Sequence, residues 1–240
     1  MRRGALLAAA GAVLLAGCGF PDEDQSAAAP GLPEFGPVVA AAPAHTRPIT
    51  DENVLISHLL SISDFPDGMT AVHDRRVNPG QAALTTVADT EPAECGRVMS
   101  SIAAQTPDPV TATGIAYSGP DFSSIDIDAA TFAPDRVAPA FTAVQEQLRR
   151  CTSYRGTDAD EIAIEYRVGA LDQPKSGDAS ASYQVRTTSE GLTLVSLVTV
   201  VQVGPTLAQI AVSAPETVDP GLLSDLTDAQ VRRLQGILGP

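Results

Sequence analysis

The 240-residue chain has no tryptophan, four tyrosines, six phenylalanines, one lysine (Lys175), three histidines and three cysteines. With so few rings, its core has to be aliphatic. Fifteen basic residues stand against 29 acids, a formal charge of −14, which excludes the basic surface that nucleic acid binding requires. No apolar run reaches the ~20 residues a helix needs to cross a bilayer. Several chemistries are also missing. There is no G-x-S-x-G, no phosphate-binding glycine loop, no paired carboxylates at a defined spacing and no cofactor motif. These absences argue against an enzyme.

What is present begins with an address. Arg2 and Arg3 precede an uncharged run over 5–16, the layout of a signal peptide. The segment Leu15-Ala16-Gly17-Cys18 resembles the lipobox of bacterial lipoproteins. The resemblance implies cleavage before Cys18, diacylglycerol on its thiol and acylation of the new N-terminus. Two or more acyl chains hold a protein stably at a membrane where one does not. Such anchoring puts the chain on the extracytoplasmic face of the cell membrane. The alternative is ordinary signal cleavage near the alanines at 27–29, which leaves no lipid. Loss of residues 1–17 leaves 13 basic and 29 acidic residues, a formal charge of −16, so lipid rather than electrostatics would make the membrane contact.

Residues 18–48 are rich in proline, alanine, glycine and acid, with prolines at 21, 30, 33, 37, 43 and 48 spaced too closely for a helix. This composition reads as a tether extending roughly 3 Å per residue. Residues 49–240 are long enough for one domain with its own core.

Within that domain, Thr50-Asp51-Glu52 followed by Val54, Leu55, Leu59 and Ile62 predicts a capped helix ending near Asp64, before Pro66 and Gly68. Pro92 opens a second, with Cys95, Val98, Met99 and Ile102 in one stripe. Val137, Phe141, Val144, Leu148 and Cys151 define a third. Alternation at Ile125, Ile127 and Ala129, at Ile162, Ile164, Tyr166 and Val168, and at Tyr183, Val185 and Thr187 predicts half-buried strands. Residues 192–203 are apolar on both faces and read as a central strand, paired with 207–212 across Gly204-Pro205. Asp219-Pro220 starts a last helix with Val231, Leu234 and Leu238 inward and Arg232 and Arg233 outward. The order predicts an α+β fold with a mostly antiparallel sheet packed against helices.

If Cys18 carries lipid, Cys95 and Cys151 remain as an even pair in an oxidising compartment. A bond between them closes a span for which chain entropy gives about 4 kcal/mol. A redox or metal-binding pair is the competing idea, but it lacks C-x-x-C spacing and adjoining ligands.

Several short stretches together resemble the PknH-type extracellular sensor domain found on mycobacterial transmembrane kinases and on envelope lipoproteins. They are Leu59-Leu60-Ser61 running into Asp64-Phe65-Pro66-Asp67-Gly68-Met69, then Pro92-Ala93-Glu94-Cys95, Leu148-Arg149-Arg150-Cys151 and Gln202-Val203-Gly204. The resemblance implies helices against a sheet, a ligand-binding groove and no catalysis. A second disulfide and a tryptophan before the later cysteine, frequent in that family, are absent here.

Among polar residues, His73, Arg75 and Arg76 form the candidate ligand-binding cluster, able to line a groove and hold an anion; the competing reading is a solvated turn before Asn78-Pro79-Gly80. His45 falls in the tether, and His58 reads as a surface or half-buried helix residue. Asp121, Asp126 and Asp128, and the run Asp158, Asp160 and Glu161, lack the spacing of a calcium loop and read as solvated, so no metal site is assigned. The leading functional expectation is a lipoprotein that binds a small molecule or protein partner without catalysis. Its alternatives are a carrier of lipid or another apolar molecule in the 192–203 interior, and a cryptic hydrolase. Thiol titration of the folded, oxidised domain should find Cys95 and Cys151 unreactive; two reactive thiols there would refute the pairing.

Overall fold

In the computed structural model, which describes residues 31–72 and 89–237, the first regular element is set by a cap. The Asp51 carboxylate accepts from the N–H groups of Asn53 (2.8 Å) and Val54 (3.2 Å), and α1 (Glu52–Ser57) follows. The helix stops well short of the expected Asp64. Beyond it the Gln230 side chain takes over the backbone, accepting from Leu60 N–H (3.1 Å) and donating to the His58 carbonyl (2.9 Å). A separate 3-10 helix covers Ile62–Asp64, where Ile62 is exposed.

The chain continues through β1 (Thr70–Ala71) and β2 (Asp89–Glu91) to a 3-10 helix, Ala93–Met99. The expected second helix is thus tighter than α, breaks at Ser100 and Ser101, and resumes only as the short α2 (Ile102–Gln105). Its Cys95, Val98 and Ile102 are buried, while Met99 is exposed. Next come β3 (Thr111–Ser118), β4 (Ser124–Thr131), α3 (Val137–Arg150), β5 (Ser153–Thr157), β6 (Ala163–Ala170), β7 (Ala179–Ser189), β8 (Leu192–Val203), β9 (Thr206–Pro215) and α4 (Pro220–Leu234). Pro139 is tolerated in α3 because it lies in the first turn, where an N–H has no helical acceptor.

The strands make one sheet in the order β1-β3-β4-β9-β8-β7-β6-β5-β2, and every neighbouring pair is antiparallel. The α+β architecture is as the sequence predicts. β8 and β9 pair from Val203↔Thr206 to Leu194↔Pro215, and Gly204 holds the left-handed conformation (φ +55°) that their turn requires.

Helices cover both faces. On one, Val137, Phe141, Val144 and Leu148 of α3, with Cys95, Val98 and Ile102, pack on Tyr183, Val198, Val200 and Leu207. On the other, Leu55 of α1 and Leu223, Leu226 and Val231 of α4 pack on Ile125, Ile127, Leu197 and Ile210. Cys95 and Cys151 are joined, Cα atoms 5.5 Å apart, which pins the 3-10 helix 93–99 to the end of α3. The structure of the expected tether divides from its composition: residues 32–48 lie against the domain, with Phe35, Ala41 and Ala44 packed on its core. Proline forbids helix there, but it leaves extended backbone free to bond elsewhere.

Arg233, expected to face outward, instead binds Asp64 at 2.6 Å and ties α4 to the 3-10 helix 62–64. Partial burial pushes the Asp64 carboxyl up, but the Ser61 N–H and the Arg233 guanidinium outweigh it and hold the group below its ordinary value. A depressed carboxyl contributes stability at neutral pH that is lost as the pH falls through its folded-state value. Arg233→Ala should therefore lower unfolding free energy at pH 7 by roughly 1–3 kcal/mol, with the two proteins converging in acid. Denaturant unfolding at several pH values checks this.

Candidate functional site

The alternation of β4 sends Ile125, Ile127 and Ala129 to the α1/α4 face and Asp126, Asp128 and Ala130 to the α3 face. Because both faces are covered, Asp128 is buried rather than solvated as its sequence context suggests. It accepts from the Ile102 N–H at the start of α2, and its other oxygen accepts from Gln209 Nε2 at 3.2 Å. Gln209 sits directly opposite on β9. Gln105 Nε2 donates to Gln209 Oε1 (2.8 Å) and to the Ser100 carbonyl (2.6 Å), and Gln209 Nε2 also reaches Ser100 (3.1 Å). The Tyr183 hydroxyl lies 3.4 Å from both Gln209 Oε1 and the Val98 carbonyl.

Burial pushes the Asp128 carboxyl up to about 7, with the charge of Asp126 adding to the rise and the Ile102 and Gln209 hydrogen bonds opposing it. Burial also raises the Tyr183 phenol, and the charge of Asp128 adds to this. The cluster is a seam joining the segment 98–105 to the sheet, with one carboxyl able to change charge near neutrality. Its chemistry is proton binding; among the described residues, no three His, Cys, Asp or Glu are placed to hold a metal ion.

A second polar arrangement lies on the same face. Gln145 of α3 and Gln202 of β8, both buried, hold the segment 32–48. Gln145 Oε1 accepts from Val39 N–H (2.8 Å) while its Nε2 donates to the Val39 carbonyl (3.0 Å). Gln202 does the same at Ala42, at 2.9 and 2.8 Å. The Arg149 guanidinium binds the Gly36 carbonyl and lies 5.7 Å from the Phe35 ring centre.

Of the residues singled out from sequence, Cys18, His73, Arg75 and Arg76 lie outside the described residues. His58 is half-buried, its Nδ1 3.0 Å from the Arg233 carbonyl. Asp158 closes a turn by accepting from the N–H groups of Asp160 and Ile162, both at 2.9 Å. Nothing in the sequence marks the glutamines as buried. One signal for Asp128 was the unbroken Ala129-Ala130-Thr131-Phe132, which leaves β4 no solvent face.

No family model matches the chain, and no curated protein does. Solved structures do. The extracellular domain of PknH from Mycobacterium tuberculosis aligns with a TM-score of 0.54 at 12% identity, covering 79% of this chain and 98% of that one. An uncharacterised protein of Mycobacterium smegmatis, the Rv0999 ortholog, aligns with a TM-score of 0.41 at 13% identity, over 72% and 92%. The chain therefore has a fold similar to that of the PknH extracellular domain. No described helix is long and apolar enough to cross a membrane.

Asp128 generates a pH prediction. A carboxyl whose folded-state value is raised binds its proton more tightly in the native state, so stability falls as pH rises from about 4 to about 7. Asp128→Asn should remove that falling limb from the melting temperature against pH, measured beside wild type.

Proposed function

We propose that the protein is a lipoprotein of the extracytoplasmic membrane face, anchored through acyl chains on Cys18, whose α+β domain binds a ligand or protein partner and catalyses no reaction. The observation that carries the binding role is the fold, similar to an extracellular domain over 98% of that domain's length. The Leu15-Ala16-Gly17-Cys18 lipobox supports the anchor, and the disulfide accords with an oxidising location. The interior supports binding over hydrolysis: the carboxylate of Asp128 is engaged by the Ile102 N–H and the Gln209 side chain. His73, Arg75 and Arg76 are the proposed contacts for an anionic group on the ligand.

Fractionation and mass spectrometry test this directly. The wild type should sediment with membranes and carry acyl mass at Cys18, and Cys18→Ser should release it. Unchanged membrane retention with no acyl mass would remove the anchor. Native mass spectrometry should find no lipid in the domain interior; a co-purifying lipid makes the protein a carrier. Hydrolase activity that survives purification and disappears with one serine substitution would replace binding by catalysis.

A further inference from the structure

Residues 32–48 form no helix and no sheet ladder, yet they follow a period of three that is interrupted at the exposed Val38. Leu32 lies against Gly169, and Phe35, Ala41 and Ala44 pack on the core; these positions differ by multiples of three. The residue after each of the first three steps in that phase carries main-chain bonds instead. The Pro33 carbonyl accepts from Ala170 N–H at 2.8 Å, the Gly36 carbonyl accepts from Arg149, and Val39 is gripped by Gln145. Ala42, three residues beyond Val39, is gripped by Gln202. A polyproline II helix has three residues per turn and no internal hydrogen bonds, so one of its edges presents side chains and another presents peptide groups.

The two grips are built into the domain. Gln145 and Gln202 are 3% and 0% exposed, and they arise from different elements. Each primary amide pairs with both the N–H and the C=O of one residue. This geometry recognises the main chain on both sides of one Cα and reads no side chain. Val38, Val39, Ala40 and Pro43 are exposed, while the inward positions hold alanine at 41 and 44. Gly169 completes the site, since a Cβ there would meet the Pro33 carbonyl oxygen at 2.8 Å.

We propose that Gln145 and Gln202 form a receptor for the main chain of an extended polyproline II segment with small inward residues. Residues 37–44 occupy it in cis. The partner is an alanine- and proline-rich segment of another protein, which enters when the strap leaves; the chain's formal charge of −14 favours a neutral or basic one. This deepens the binding role proposed above and names the partner's chemistry.

A tethered occupant acts at roughly millimolar effective concentration, so wild type should exclude added peptide until the strap is weakened. The probe is a fluorescent synthetic peptide of residues 31–48, titrated by anisotropy into the full chain. Val39→Pro with Ala42→Pro removes both gripped N–H donors from the strap. That chain should bind the peptide at least about tenfold more tightly than wild type, and adding Gln145→Ala with Gln202→Ala should abolish binding. A folded, strap-weakened chain that binds nothing, or that binds equally without the glutamines, overturns the receptor. Either result leaves the anchored binding role to its own fractionation and mass tests. Amide exchange provides a second reading on unweakened protein. Val39 and Ala42 should exchange about a hundredfold more slowly than in the free peptide, and Gln145→Ala should release Val39. Free-peptide rates at both amides in wild type also overturn the proposal. So does a wild-type dimer that dissociates on the glutamine substitutions, because a second copy's strap would then be the occupant.

Discussion

The constraint behind most of this structure is that strands β4, β9 and β8 are covered on both faces. Water cannot serve any polar group there, so each must find its partner inside. The protein meets most of that requirement with glutamine, although Gln105 Oε1 is itself buried without a partner among the described residues. Among the described residues six glutamines are buried, at positions 105, 145, 147, 202, 209 and 230, and every one bonds the main chain of a loop, an extended segment or a 3-10 turn outside the main strands and α-helices. Gln147 holds Glu94, Gln209 holds Ser100, Gln230 holds residues 58 and 60, and Gln145 and Gln202 hold the strap. Regular structure thus fixes irregular structure through side-chain amides. Where the partner is a carboxylate, Asp128, the same enclosure moves its protonation toward neutrality.

The regular scaffold was readable because its signals are hydrophobic and periodic. Residues 192–203, apolar on both faces, could only be a central strand, and the stripe from Val137 to Leu148 could only be an amphipathic helix. The unread parts lack such a signal. β3 is Thr-Ala-Thr-Gly-Ile-Ala-Tyr-Ser, too small and mixed to alternate, and β1 and β2 are two and three residues long. The segment 93–105 shows an apolar stripe that fits α and 3-10 spacing alike, so its break at Ser100 depends on the Gln105 and Gln209 bonds rather than on propensity. A buried glutamine carries no periodic mark. Proline density in 32–48 spoke for a spacer, and the period of three inside it becomes evident only once the partners on the domain are known.

At 12% identity and a TM-score of 0.54, the similarity to the PknH extracellular domain is one of fold. The disulfide illustrates how little sequence such a scaffold has to specify. It joins the start of one covering segment to the end of another, and so ties together two parts that also lean on the same glutamine-lined face.

Docking of the strap has a mechanical meaning. Seventeen residues, 32–48, lie along the domain, and at ~3.1 Å per residue they store about 50 Å of contour. Their attachments, from Pro33 through Gly36 and Val39 to Ala42, are arranged in sequence. A pull from the N-terminal side reaches them in that order, so the strap takes up load before the disulfide-tied sheet does.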